Sequence, residues 1–173
     1  PPPPFTSSTH HTSLQEILLK TSIIMMSECL DNALRVLDAI DAQAREILSG
    51  GKYGTIHTVV LIHTDTHKKS MNMMKKHRSR NIYSTSMNST GDIEMRYERL
   101  DVTLHYHYEE SELHAVATLL QEYYASRTGT GTGTGVMSMD DAWVLFLNDQ
   151  LKPLENWLHH LLFTVEEHHY TNT

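Results

Sequence analysis

The sequence is poor in cysteine and in long apolar runs. Cys29 is the single cysteine among 173 residues, which excludes an internal disulfide framework and a cysteine-based zinc finger because both need several thiols. No apolar run is longer than six residues, whereas a helix needs about 20 to cross a bilayer. A charged segment followed by an apolar core, typical of secretion signals, is also lacking. We therefore expect no membrane span and an intracellular location, unless a resemblance to a known family indicates another.

Basic residues are scarce except in one short segment. Residues 1–67 hold 4 basic and 7 acidic groups, residues 81–173 hold 4 and 14, and residues 68–80 hold 6 basic groups and no acid. The net charges of −3, −10 and +6 add to −7 for the chain. Such a segment suits contacts with phosphates or an acidic partner, and it is equally typical of a solvated loop. Its cations are Lys68, Lys69, Lys75, Lys76, Arg78 and Arg80.

Three segments differ in composition from the rest. Residues 1–13, PPPPFTSSTHHTS, predict an extended arm. Residues 128–137 begin with TGTGTGTG and predict a loop or linker, since they follow a helical pattern and lack the Lys of a phosphate-binding loop. Between them, residues 14–127 have the length and composition of one α+β core domain. Residues 138–173 are expected to complete that domain as a helical segment.

Apolar spacing predicts a long N-terminal helix over residues 14–47. A capping-box pattern lies at 13–16, and apolar residues then recur three and four positions apart. Gly50-Gly51 is expected to end the helix. Breaks within it are expected, if anywhere, at Thr21-Ser22 and Ser27.

Three β-strands are predicted between residues 55 and 108. Residues 55–66 are β-branched and aliphatic without a helical stripe, residues 81–87 form a weaker candidate, and residues 93–108 alternate between polar and apolar. The alternation slips by one residue at Glu98-Arg99, which predicts a bulge. The turn before this strand is assigned to Asn88–Gly91. We expect an antiparallel sheet of about three to four strands.

Helices are predicted after the sheet. Ser111 is expected to cap a helix whose apolar stripe is Leu113, Val116, Leu120, Tyr123 and Tyr124. Pro153 divides the last region into helices Asp141–Leu151 and Leu154–Glu167. Their expected buried stripe is Trp143, Phe146, Leu147, Leu154, Trp157, Leu161 and Val165. The predicted order is α–β–β–β–α–α, an α+β fold with helices packed on the sheet.

Histidine is abundant, with 13 residues, and several of them share strand faces. By two-residue alternation, His57 shares a face of the first strand with His63, Asp65 and His67. Glu109 shares a face of the last strand with His105 and His107. If the two faces meet, their imidazoles and carboxylates suit zinc or another divalent metal. The candidate ligands are His63, Asp65, His67, His105 and His107. The alternative is that they form the polar face of a sheet whose other face is the core.

The stretch RYERLDVTLHYHYEESELHAVATLLQEYY, residues 96–124, resembles the strand–turn–helix of tail-terminator and tail-completion (head–tail connector) proteins of bacteriophages. The resemblance extends over residues 14–125 as a pattern of elements. It implies an opening helix, antiparallel strands and a helix that returns over the sheet. It also implies a subunit that forms a ring at the end of a tail tube and catalyses no reaction, so that the expected location is intracellular or in the virion.

These observations favour a non-enzymatic structural subunit of a large assembly, since neither a GxSxG elbow nor an HExxH helix is present. We expect it to contact copies of itself and neighbouring assembly proteins through residues 1–13 and 68–80. One alternative is a His/carboxylate metal-binding protein or hydrolase. Another is a nucleic-acid or ribosome-associated accessory subunit that uses residues 68–80. Apart from a divalent metal, no cofactor is expected.

Overall fold

A computed structural model of the protein describes residues 14–50, 54–63, 81–107, 111–128 and 143–171. The predicted arm 1–13, the basic segment 68–80 and nearly all of the Gly-Thr loop lie outside them. In chain order the elements are α1 (14–19), β1 (Thr21–Ser27), α2 (Leu30–Ile47), β2 (Ile56–His63), β3 (Ser84–Met87), β4 (Ile93–Arg96), β5 (Leu100–His107), α3 (Glu112–Thr128), β6 (Trp143–Asn148) and α4 (Trp157–Thr171). No helix in the described ranges is long and apolar enough to cross a membrane.

The strands form one mixed sheet in the order β3-β4-β5-β2-β1-β6. Strands β5, β2, β1 and β6 are parallel, β4 is antiparallel to β5, and β3 is antiparallel to β4. The α+β fold class is confirmed, with four helices in the described part of the chain. The expected antiparallel sheet of three to four strands is wrong, and so is the order α–β–β–β–α–α. Two segments with helix-like patterns are strands instead.

The first of these segments is β1. Apolar spacing places the sequence TSIIMMS inside a helix over 14–47, but it is a strand between β2 and β6. Because helices pack on both faces of the sheet here, six of its seven residues are buried and no alternation marks the strand. The two ends of the predicted helix do form helices, α1 and α2. The Gln15 amide of α1 donates a 2.9 Å hydrogen bond to the Ile47 carbonyl of α2. Gly50, with φ 68°, follows α2 as predicted.

The predicted bulge at Glu98-Arg99 is a tight turn between two strands. The Tyr97 N–H donates to the Leu100 carbonyl at 2.9 Å, and β4 and β5 pair on either side of the turn. Both Tyr97 and Leu100 are buried in the same core cluster. A two-residue turn therefore produces the one-residue slip in the alternation.

The second misassigned segment is β6. The predicted helix Asp141–Leu151 is wrong, since residues 143–148, WVLFLN, form a strand parallel to β1 in which Leu145 is the register partner of Ile23. Its β-branched and aromatic residues favour a strand. The helix predicted after Pro153 is confirmed, but it runs over Trp157–Thr171. Leu158, Leu162 and Glu166 are its buried residues, whereas Leu154 is exposed.

The two faces of the sheet are covered differently. The face carrying Ile23, Val60 and Leu104 packs against α1, α2 and α4 in one large core, which we call the covered face. Among the described elements, α3 is the one that packs on the opposite, second face, where Ile24, Leu61 and Ala115 form a small cluster. Of the predicted stripe, Val116 and Leu120 lie against this cluster, whereas Leu113 is 80% exposed. The remainder of the second face, over β3, β4 and β5, carries polar side chains.

Candidate functional site

The histidines of β2 and β5 follow the second face of the sheet. The parallel register pairs His57 with Asp101 and His63 with His107. The two strands that carry the predicted metal ligands are therefore direct neighbours, although they run parallel rather than antiparallel. His63 is exposed at the end of β2. The other two candidates of the first strand, Asp65 and His67, lie outside the described residues, as do all six cations of the basic segment.

His105 is held by a carboxylate that the sequence pattern does not single out. Its Nδ1 lies 2.8 Å from Oδ1 of Asp92, and the His105 side chain is 39% exposed. This contact assigns the Nδ1–H form, in which Nε2 is the free basic nitrogen of the ring. Histidines that ligate metals commonly donate their other ring N–H to a carboxylate in this way. The arrangement therefore orients His105 for a ligand, a proton or a polar partner at Nε2.

The turn between β3 and β4 fixes this carboxylate. Asn88 Oδ1 accepts the backbone N–H groups of Thr90 (3.0 Å) and Asp92 (2.9 Å), and Gly91 has φ 89°. The Thr90 hydroxyl lies 2.9 Å from Asp92 Oδ2. The sequence predicts this turn at Asn88–Gly91, and the β4–β5 register then places Asp92 opposite His105. Recognising two strands instead of one bulged strand would have identified the pair.

A polar cavity of about 300 Å³ lies beside His57 on the second face. Arg96 Nε and Asp101 Oδ1 are 2.9 Å apart within it, and the Thr55 hydroxyl donates to the other oxygen of Asp101. Both charges of the pair are thus satisfied. His57, Ser84, Ser86 and Glu94 also line the cavity. Within the described ranges, no three His, Cys, Asp or Glu side chains are grouped so that they could hold a metal ion.

A larger, apolar groove lies at the other side of the second face, and sequence reasoning missed it. It has a volume of about 850 Å³ and lies between α3 and the carboxyl ends of β1 and β6. We call it the β6 groove; its apolar lining includes Met26, Leu113, Val116, Leu120, Phe146 and Leu151. The chain leaves β1 for α2 on the covered face, and it reaches β6 after α3 on the second face. The groove therefore lies where open parallel sheets usually bind their ligands. Reading WVLFLN as a strand would have placed Val144 and Phe146 on this face.

Buried polar contacts hold the two strand ends beside the groove. The Ser27 hydroxyl donates to Asp149 Oδ2 at 2.8 Å, and the Glu28 N–H donates to the same oxygen at 3.2 Å. The Asp149 N–H donates to the Met26 carbonyl at 3.1 Å, and both Ser27 and Asp149 are buried. Because these bonds join β1 to β6 within the chain, the groove is formed before anything binds to it.

A buried carboxylate on α2 organises the opposite face. Burial raises the pKa of Asp41, although the Arg99 N–H (2.8 Å) and the Arg45 guanidinium (3.2 Å) stabilise its charged form. Burial also raises the pKa of Tyr97, and the negative charges of Asp38 and Asp41 add to that effect. Asp41 thereby fastens the β4–β5 turn to α2. Asp41 lines neither the polar cavity nor the β6 groove, so we interpret it as a structural contact.

Comparison with known proteins gives no relative. No protein-family model matches the sequence, and neither the curated proteins nor the solved structures yield a match.

Proposed function

We propose that the protein is a non-enzymatic structural subunit of a large assembly, in which copies of the chain bind one another and neighbouring proteins. The β6 groove carries the proposal. Leu113 and Phe146 at its border are 80% and 53% exposed. Exposed apolar surface of this kind is typical of protein–protein contacts, since burying it gains about 25 cal/mol per Å².

The particular assembly proposed is a virion tail or connector ring. Support comes from the resemblance of residues 96–124 to tail-terminator proteins and from the place of the groove at the side of the sheet. An apolar patch at a lateral edge suits repeated contacts between equivalent subunits. Residues 1–13 and 68–80 are proposed as further contacts with neighbours, the latter through its six cations.

Native mass spectrometry and negative-stain electron microscopy of the full chain test this proposal. We expect closed oligomers of more than two copies, which the substitution Leu113→Asp disrupts because it places a charge at the groove. Leu154→Asp is the matched control, since Leu154 is 75% exposed but does not line the groove. A wild-type chain that stays monomeric or dimeric at all concentrations contradicts the proposal, and so does equal disruption by both variants.

A second candidate function, divalent-metal binding, is favoured by the His105–Asp92 contact. The proposed ligands are His63, His105 and His107, with Asp65 and His67 of the following segment. The Asp92 carboxylate would orient His105, and loss of such a partner typically weakens metal affinity 10–100-fold. Hydrolysis by the metal-loaded protein is assayed separately on the same preparation.

Competition between the protein and a chromophoric chelator for Zn²⁺ tests this candidate. We expect tight binding that His105→Gln abolishes and Asp92→Asn weakens about 10–100-fold. His160→Gln is the control, because His160 is an exposed histidine of α4. Equal affinities for wild type and His105→Gln would remove the metal hypothesis.

The nucleic-acid alternative rests on the basic segment alone. If residues 68–80 bind phosphates, affinity for single-stranded or duplex nucleic acid must fall steeply as salt rises, because cations released from the nucleic acid drive the binding. Fluorescence anisotropy at several salt concentrations measures this. Binding that is insensitive to salt contradicts this alternative.

A further inference from the structure

The outer side of β6 presents backbone groups that no described strand pairs. The Trp143 N–H donates to the Lys20 carbonyl and the Asp149 N–H to the Met26 carbonyl, so odd-numbered residues face β1. In a parallel ladder the intervening residues face the other way. The N–H and C=O groups of Val144, Phe146 and Asn148 therefore point away from the sheet, where β6 is the last strand in order.

This edge lacks the features that normally prevent strand pairing. Residues 143–148, WVLFLN, contain no charged residue, proline or glycine, and these are the usual means of blunting an edge. The opposite edge of the sheet, β3, is four residues long, STSM, and fully exposed. Each copy of the chain carries a net charge of −7, so pairing through an uncharged strand brings no like charges together within the strand.

We propose that a second copy of this chain occupies the edge, with β6 antiparallel to β6 about a two-fold axis at Phe146. This names the partner of the β6 groove and rests on the proposed function. The two-fold pairs Phe146 with Phe146 of the second copy, and Val144 with Asn148 of the second copy. All of these residues have outward-facing backbone groups, so each pair exchanges two hydrogen bonds. The Asn148 carbonyl, which already accepts the Leu151 N–H at 3.4 Å, uses its second lone pair for this. The strand is thus complementary to itself.

The β6 groove supplies the apolar area that strand pairing alone lacks. Five paired residues extend over about 16 Å, which is short for an interface that needs to bury roughly 1,200–2,000 Å². Phe146 lines the groove beside Leu113 and Leu120 of α3. Across the two-fold axis the two grooves adjoin, so each is completed by the Phe146 ring and the α3 helix of the other copy. The dimer buries on the second face what the single chain leaves exposed.

Complementary charges at Phe146 test this arrangement. In sedimentation we expect the wild type to contain the β6–β6 dimer as the unit of its larger oligomers, and Phe146→Lys and Phe146→Glu each to lose that dimer with unchanged far-UV circular dichroism. Mixing the two variants must restore a dimer, because the two-fold axis places Lys directly opposite Glu. Phe163→Lys is the control, since Phe163 is 43% exposed on α4 and does not line the groove. It must leave the dimer intact.

A disulfide test covers the case in which the charged variants fail to fold. In a Cys29→Ser background, Phe146→Cys must form a cross-linked dimer with oxidised glutathione, since directly opposed residues of a hydrogen-bonded pair have Cα atoms about 5.5 Å apart. Phe163→Cys must not cross-link. Absence of cross-linking at position 146 overturns the inference, as does a mixture of charged variants that stays monomeric.

The outcomes separate this inference from the proposed function. Oligomers larger than dimers that persist in Phe146→Lys overturn the β6 pairing and leave the assembly proposal standing. A dimer that Phe146→Lys breaks and charge exchange restores supports the pairing. If nothing larger than that dimer forms, the assembly proposal fails while the pairing holds.

Discussion

The covered face and the second face of the sheet are made by the same strands but serve different ends. On the covered face, side chains of all the central strands meet three helices in one core. On the second face, one helix covers a small cluster, and polar side chains and the β6 groove occupy the rest. Stability is therefore concentrated on one face, which leaves the other free to carry contacts with a ligand or a partner.

The largest effect is expected from a cavity on the covered face. Leu37 of α2 is fully buried there, and Leu37→Ala should lower the free energy of unfolding by about 2–5 kcal/mol. Leu61→Ala, at a buried position under α3, should fall in the lower part of that range because one helix can settle onto the sheet more easily than three. Chemical denaturation of both variants measures the difference. A greater loss for Leu61→Ala would reverse our ranking of the faces.

The next largest effect is expected at Asp41. Asp41→Ala leaves the Arg99 N–H without its acceptor and should cost about 1–3 kcal/mol in unfolding free energy. Asp41→Asn keeps a side-chain oxygen as acceptor and should cost less. Denaturation at neutral pH compares the two variants, and equal losses would show that the hydrogen bond contributes nothing.

Asp41 also predicts a pH dependence. Its pKa in the folded state is raised above the ordinary 3.8, so the folded chain binds this proton more tightly than the unfolded chain does. The contribution of Asp41 to stability is therefore fully present below about pH 3.8 and is lost as the pH rises through the raised value. Relative to Asp41→Asn, the wild type must gain stability on acidification through that window. A gap that narrows on acidification contradicts the raised pKa.

A smaller effect is expected on the second face, at the His105–Asp92 pair. Because His105 is partly exposed, Asp92→Ala should cost about 1 kcal/mol or less. The clearer readout is the ring itself: nitrogen chemical shifts should show His105 in the Nδ1–H form in the wild type and in a mixture of both neutral forms in Asp92→Ala. An unchanged tautomer in the variant would mean that Asp92 does not orient the ring.

The smallest effect is expected at the ion pair of the polar cavity. Arg96 is 65% and Asp101 is 38% exposed, and exposed pairs contribute about 0–1 kcal/mol. Arg96→Ala should therefore change the unfolding free energy by less than about 1 kcal/mol, and added salt should reduce the change. A larger, salt-independent loss would mean that this pair contributes to stability as buried core contacts do.

The sequence was informative where a segment has one exposed face. Strands β4 and β5, the helix α2 and the turn before β4 follow from alternation, helical spacing and turn residues, because water on one side imposes a period on the sequence. β1 was misread because neighbours cover both of its faces and erase that period. β6 was misread because its tryptophan and phenylalanine also fit a helical stripe. The β6 groove depends on β1 and β6 together, so it became visible only with the tertiary structure.

The pairing of β1 with β6 has a consequence for synthesis of the chain. Thr21 and its register partner Trp143 are 122 residues apart, and ribosomes add about 5–20 residues per second. β1, an uncharged apolar strand, is therefore synthesised about 6–24 seconds before its neighbour β6. During that interval the open edge of TSIIMMS can pair with the same edge of another nascent chain. A chaperone that covers this edge should therefore raise the yield of folded protein.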